Sequence, residues 1–260
     1  IQAMAHLRAG MADIALVVGA EKMVFPDRAE AMAAAFEGGT DIHDMEATKA
    51  FVRALGGDAD DENAGKRSIF MDLYAAQARA HMDRFGTTQE DFAAVAAKNH
   101  SNARHNPLAQ YRDPMSVEEV LADKPIAFPF TRSMCAPLSD GAAAVVVCNA
   151  AGHARLAGAK PRAVTIRASV LRSGVDREIA DFDRHIGRLT ALAAYEEAEL
   201  GPGDIDCIEV HDATAYAEVQ QIENLGLAEP GSVGDCLAKG DFALGGRQPV
   251  NASGGLLSKG

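Results

Sequence analysis

The stretch "CIEVHDATAYAEVQQIENLG", Cys207 to Gly226, decides the fold. Ile205 to Val210 reads as a short apolar β-run. From Ala213 onward the pattern turns helical, with Ala213, Ala217, Ile222 and Leu225 recurring at roughly helical spacing. Gly226 supplies the helix stop. His211 therefore stands at the carboxyl end of a strand, where open α/β sheets form their ligand crevice. Two readings of the pair His211–Asp212 stay open. In one, the imidazole is a general acid/base and Asp212 caps the helix or orients backbone amides. In the other, it is a loop histidine beside an N-cap aspartate.

Composition narrows the setting. The chain has 260 residues, 48% hydrophobic, enough for one large α/β core or two ordinary ones. It carries 25 Lys plus Arg against 37 Asp plus Glu, a net charge of -12. With no basic run, an acidic surface of this kind repels phosphate backbones, so nucleic-acid binding is not expected. No apolar run approaches the roughly 20 residues of a membrane span. Cys135, Cys148, Cys207 and Cys236 lack metal-ligand spacing, and reduced thiols in a cytoplasmic protein are the expectation. The absence of Trp and the 5% aromatic content suit a tightly packed α/β protein. Ile1 already stands inside a helical pattern, and Gly260 directly follows "PVNASGGLLSK". Neither end reads as a natural terminus, so the sequence reads as an internal piece of a longer protein.

Working outward, "IQAMAHLRAG" reads as a helix stopped at Gly10. Ile14 to Val18 is a continuous apolar run, as in a strand buried on both faces. The span from Val24 to Lys66 is less patterned and punctuated by Gly38, Gly39, Gly56 and Gly57, with Asp58 to Glu62 as a solvated charge run. "SIFMDLYAAQARAHMDRFG" is an amphipathic helix closed by Gly86. In "TTQEDFAAVAAKNHSNARHNP", Thr87 or Thr88 caps a helix with Glu90 or Asp91 in its first turn and Phe92, Val95 and Ala96 on its buried stripe. Ser116 and Glu119 repeat the capping logic. A Pro-broken extended segment follows, then Asp140 capping a short Ala-rich turn, and a strand over Val145 to Cys148. After a boundary near residue 155, "RAVTIRASVL" looks like a fresh strand, and a helix spans Thr190 to Glu199.

Other chemistry-bearing residues have bland alternatives. Asn251, Ser253, Gly254 and Gly255 form a turn through which backbone can approach a ligand closely, or a plain glycine turn. Cys135 sits in a Pro-containing loop without an evident cationic partner, which favours an unreactive thiol. His100 and His105 read as surface or capping residues, and the remaining histidines lack metal spacing. No metal site and no phosphate-cradling glycine motif is expected.

Taken together, "AGMADIALVVGAEKM", "RFGTTQEDFAAVAAKNHSNARHNPLAQYR", "CAPLSDGAAAVVV", "EVHDATA" and "LGGRQPVNASGGLLSKG" resemble, in family order and over nearly the whole chain, the thiolase superfamily. The resemblance is to its sterol-carrier-protein-x-type and bacterial acetyl-CoA acetyltransferase-like members. It implies an α/β fold of the five-layer αβαβα thiolase type with an inserted loop domain, cut short at both ends. The N-terminal half would comprise residues 1–23 and 131–155, the loop domain 24–130 and the C-terminal half 156–260. It also implies acyl-CoA thioesters as ligands, coenzyme A as substrate without a permanently bound cofactor, and a homodimer or tetramer.

The family's nucleophilic cysteine would lie several residues before Ile1. Gly260 looks like the glycine of its Gly-His-Pro motif, and its Cys-x-Gly motif would follow further on, so the piece by itself is expected to be inactive. The catalytic candidates carried onto this chain are His211, Asp212 and Asn251. Met134, Cys135, Ala136 and Pro137 match the loop that contacts the pantetheine arm, with Ala136 and Pro137 departing from the usual small Ser-Gly pair. Phe70 and Met71 fall near the border of the acyl pocket. Thr214 replaces the usual aromatic residue, widening the pocket or marking a divergent branch. Such branches include lyases acting on steroid side-chain CoA esters, often paired with a small OB-fold partner. Three activities therefore stay open: thiolase-type acyl transfer, aldolase-like cleavage of a 3-hydroxyacyl-CoA, and acyl-CoA binding without catalysis.

Overall fold

The computed structural model describes residues 1–39, 41, 43–54, 68–156, 158, 162–178 and 181–260. Gly56, Gly57 and the Asp58 to Glu62 run lie outside the described residues.

The helices form where caps and apolar period agree. α1 spans Gln2–Arg8. α2 (Ala29–Glu37) and α3 (Met45–Ala54) occupy part of the span that shows little pattern in sequence. α4 (Ile69–Phe85) starts on Ser68, whose hydroxyl accepts from the Phe70 amide, and ends on Gly86 at φ 75. α5 (Gln89–Ala103) opens with a capping box in which Thr88 and Asp91 satisfy each other's amides. α6 (Val117–Ala122) does the same with Ser116 and Glu119. α7 (Ala150–Leu156), α8 (Ile186–Ala198), α9 (Ala215–Asn224), α10 (Val233–Ala238) and α11 (Gly255–Lys259) complete the helical set among the described residues.

The centre of the molecule is α5. Phe92, Val95, Ala96 and Ala103 lie at helical spacing on one face and are fully buried. Phe92, Val95 and Ala96 pack in one cluster with Ala75 and Ala78 of α4, Val120 of α6, Tyr216, Val219 and Ile222 of α9, Val233 of α10, and Leu257 of α11. Phe92 meets Phe130 and Tyr216 edge-on, at centroid distances of 6.2 and 6.0 Å. Burying a side chain such as Phe92 contributes about 1.5–3 kcal/mol.

Strands are sparse. β1 (Ile14–Glu21) pairs antiparallel with β4 (Gly141–Cys148) in unbroken register from Ile14↔Cys148 to Glu21↔Gly141. β2 (Pro125–Ala127) and β3 (Phe130–Thr131) form a second small pair. Four expectations need correction here. β1 is not buried on both faces: Leu16 is 66% and Val18 61% exposed, and Val145 and Val146 on β4 are exposed as well. β-branched residues write a strand locally, but cover must come from other layers. Asp140 caps no Ala-rich turn, because that stretch is β4 itself. Its carboxylate instead accepts from the Met23 and Val24 amides and from Lys22 Nζ, hydrogen bonds that hold it low, at about 2.

The run after Pro161 forms no strand. Residues 162–178 have no regular structure, and Val164 and Leu171 stand in solvent. Ile205 to Val210 is extended but makes no ladder. It meets residues 249–251 through a single parallel bridge, Ile208↔Val250, with Ile208 N donating to Pro249 O and Asn251 N to Ile208 O. A parallel strand needs neighbours along its whole length, and one short contact does not supply them.

Candidate functional site

The extended segment still delivers His211 to the start of a helix. The helix is α9, and its cap is Thr214, not Asp212: Thr214 Oγ1 accepts from the Ala217 amide at 3.2 Å. Thr214 is fully buried. Its hydroxyl is engaged in capping.

Asp212, also fully buried, caps a different helix. Its Oδ1 accepts from the Leu256 amide at 2.7 Å and its Oδ2 from the Leu257 amide at 3.4 Å, both in α11. That approach requires Gly255. A Cβ there would lie 2.0 Å from Asp212 Oδ2, and its φ is +61. The close backbone approach expected of the Gly254–Gly255 turn is therefore made to the chain's own Asp212 and Ala103.

Around Asp212 lies a buried polar cluster. Asn99 Nδ2 donates to Asp212 Oδ2 at 2.9 Å and to Glu218 Oε2 at 2.6 Å. Lys98 Nζ pairs with Glu218 Oε1 at 2.9 Å and donates to Asn99 Oδ1 at 2.6 Å and Val250 O at 2.7 Å. Asn251, at φ 52, donates from Nδ2 to Glu218 Oε2 at 2.7 Å, while its Oδ1 accepts from the Val210 amide at 2.9 Å. The one ammonium pairs with Glu218, and Asp212 is joined to it only through Asn99. Burial, and then the neighbouring Glu218 charge, raise Asp212 to about 7 against the opposing hydrogen bonds from Leu256 and Leu257.

His211 itself is exposed. The residues on either side of it are held and its ring is free of the core. Beside it runs the Met134–Pro137 loop. The Ala136 amide donates to Ala213 O at 3.0 Å, and Cys135 bridges Thr214. The loop continues to Ser139, against which Gly260 packs. Gln110 Nε2 ties Leu138 O to Lys259 O. The 211–214 turn, the 134–139 loop and α11 therefore meet in one place.

His100, expected at the surface, is buried beneath it. Nε2 donates to Ser133 O and Nδ1 accepts from Ser258 Oγ, each at 3.0 Å. Burial lowers its pKa, so it rests neutral in this tautomer. Phe70 and Met71 are half-buried in the first turn of α4, where Phe70 packs on Gly39.

The family described as "Thiolase C-terminal domain-like" matches residues 177–260. The acetyl-CoA acetyltransferase of Methanothermobacter thermautotrophicus is 36% identical over 257 residues, covering 96% of this chain and 60% of that protein. Sterol carrier protein 2 of Rattus norvegicus is 33% identical over 196 residues, 72% of this chain and 35% of that protein. The chain belongs to the thiolase-like superfamily. The solved Ltp2-ChsH2(DUF35) aldolase superposes with a TM-score of 0.72 at 25% identity, over 99% of this chain and 63% of that one, and carries the same thiolase-like α/β fold. The chain thus spans less than two thirds of the thiolase-like proteins it matches.

Burial pushes the Cys135 thiol up to about 12, which disfavours the thiolate form. Among the described residues no cluster of His, Cys, Asp and Glu could hold a metal ion, and no helix is long and apolar enough to cross a membrane. Lys98, Asn99 and Glu218 are the site residues that sequence reasoning missed. The signal was a polar residue on a buried stripe: Asn99 follows Phe92 by two helical turns, and Glu218 precedes Ile222 by one.

Proposed function

We propose that the chain is the central part of a thiolase-type acyl-CoA C-acyltransferase acting on 3-ketoacyl-CoA, or condensing acyl-CoAs. The observation that carries this reading is the convergence of the 211–214 turn, the 134–139 loop and α11, whose sequences are the motifs that resemble the family's active-site loops. A cysteine thiolate ahead of Ile1 would attack the ketone carbon of the thioester substrate. The bond from the ketone carbon to the α-carbon then breaks, the α-carbon takes up a proton to give a shorter acyl-CoA, and the acyl-enzyme left behind passes its acyl group to the coenzyme A thiol, which gives up its proton as the cysteine thiolate is released.

His211 would hydrogen-bond the thioester oxygen and assist proton transfer, Asp212 would fix the turn, and Asn251 would hold the backbone before it. Met134, Cys135, Ala136 and Pro137 would line the pantetheine arm through backbone and small side chains, with Phe70 and Met71 bordering the acyl chain. The division into 1–23 with 131–155, 24–130 and 156–260 belongs to the same reading, as does assembly as a homodimer or tetramer. The cysteines are all free, which supports a cytoplasmic setting for this lipid chemistry.

The test is a quenched single turnover of the full-length protein with a 3-ketoacyl-CoA, followed by peptide mass analysis. The reading predicts one acyl group on a cysteine ahead of Ile1, blocked by prior iodoacetamide treatment. Turnover without any acyl-enzyme would contradict it.

The likeness to the Ltp2-ChsH2(DUF35) aldolase favours a second reading. Here a 3-hydroxyacyl-CoA is cleaved to an aldehyde or ketone and a shorter acyl-CoA, with a small OB-fold partner subunit. A non-nucleophilic residue at the cysteine position, with cleavage of the 3-hydroxyacyl-CoA, would select it. Acyl-CoA binding with neither reaction would leave a non-catalytic subunit.

A further inference from the structure

His211 is exposed, yet the chain on both sides of it is tied into the buried cluster. The Val210 amide donates to Asn251 Oδ1 at 2.9 Å, and the Asp212 carboxylate accepts from Asn99 Nδ2 at 2.9 Å. The Asn251 and Asn99 amides converge on Glu218 Oε2. Which way the Asn99 amide faces decides whether it can donate to either carboxylate. Lys98 fixes that direction from the oxygen side: its ammonium donates to Asn99 Oδ1 at 2.6 Å, which keeps Nδ2 toward Asp212 and Glu218. That ammonium donates to Asn99 Oδ1 and Val250 O and stands 2.9 Å from Glu218 Oε1 as an ion pair. The Lys98 side chain is 7% exposed and that of Glu218 0%, so water does not compete for these bonds.

We propose that Lys98 is the positioning residue of the His211 turn: its buried ammonium orients Asn99, and through Asn99, Glu218 and Asn251 it holds residues 210 and 212 so that the imidazole between them keeps one place. Lys98 touches no substrate in this account. Its effect on acyl transfer rests on the functional reading above, but its effect on the turn does not.

The experiment uses the full-length protein with Lys98→Met, and with the double change Lys98→Met/Glu218→Gln, which removes both charges of the pair and keeps the fold if the single variant does not. Amide hydrogen exchange is followed at Val210 and, as internal controls, at Val95 and Ala96 in the middle of α5. Protection at Val210 falls by about tenfold or more while the controls stay within about twofold, as expected for loosening of one local unit. In the same variants kcat for the thioester substrate falls by about 10–100-fold with KM within about threefold, the signature of a misplaced catalytic group.

Unchanged protection at Val210 in a folded variant overturns the proposal, whatever the activity. Lost protection with wild-type kcat overturns the link to chemistry. A wild-type protein that turns over no acyl-CoA sinks the functional reading alone, and the exchange result still decides Lys98.

Discussion

The β1–β4 ribbon and the α5 bundle are made from similarly apolar stretches, yet one stands in solvent and the other is sealed. In the ribbon, Leu16 and Val18 on one face and Val17 on the other are exposed, as are Val145 and Val146 across the ladder. In the bundle, Phe92, Val95 and Ala96 reach zero exposure, and even Asn99 and Glu218 are closed off. The register of the ribbon is unbroken, as is the hydrogen-bonding of the helix. The difference is tertiary cover: α5 has helices against several of its faces, whereas in this chain β1 and β4 have only each other along most of their length.

The largest expected effect comes from breaking the sealed half. Gly255→Ala places a methyl group against Asp212 Oδ2 and strains a positive φ, so it should destabilise the protein by about 2–4 kcal/mol in urea titration. A loss below about 0.5 kcal/mol would mean that Asp212 is not held on α11 as described.

Titration sharpens the comparison next. Asp212 is raised to about 7 by burial and then by Glu218, against about 3.9 unfolded. Its contribution to stability is full below about pH 4 and is lost as pH rises through about 7. His185 runs the other way. Burial, then Arg177, lowers it to about 4, against about 6.5 unfolded. Its contribution is full above about pH 6.5 and is lost as pH falls through about 4. Removing Asp212 with Asp212→Asn should therefore make stability climb more steeply with pH between these limits, and His185→Gln should make it fall. Urea midpoints across that range read the sign. Parallel curves for wild type and both variants would contradict the burial assigned to them.

The smallest effect belongs to the bare ribbon. Leu16→Thr should change the stability of the 260-residue chain by no more than about 0.5 kcal/mol. In the full-length protein the same change should cost about 1–3 kcal/mol if further layers cover the ribbon. Equal values in both would erase the contrast between the two regions.

The same contrast governs what the sequence discloses. α4, α5 and α6 are legible because their signals are local: Ser68 and Gly86, the Thr88–Asp91 box, and the Ser116–Glu119 box all lie within a few residues of the turns they satisfy. α2 lacks such a signal, since the side chain of Arg28 at its N-cap makes no capping hydrogen bond. The strands expected after Pro161 and at Ile205 to Val210 have apolar β-runs but no ladder, because pairing is a property of neighbours.

At the site, His211 and Asp212 are legible as a pair at a strand-to-helix junction. That Asp212 caps α11 rather than α9 is not, because its partners Leu256 and Leu257 lie 44 and 45 residues away. Lys98, Asn99 and Glu218 read as ordinary positions of amphipathic helices until the packing brings them together. His100 reads as a surface residue for the same reason, its partners Ser133 and Ser258 being distant in sequence.

The account turns on His211 as the group that the buried cluster presents to a thioester. Steady-state thiolysis of a 3-ketoacyl-CoA by the full-length protein carrying His211→Ala tests it most directly. The account predicts a fall in kcat of about 100-fold or more, in the range for loss of a general acid/base, with the fold intact by circular dichroism. Turnover at the wild-type rate would contradict it.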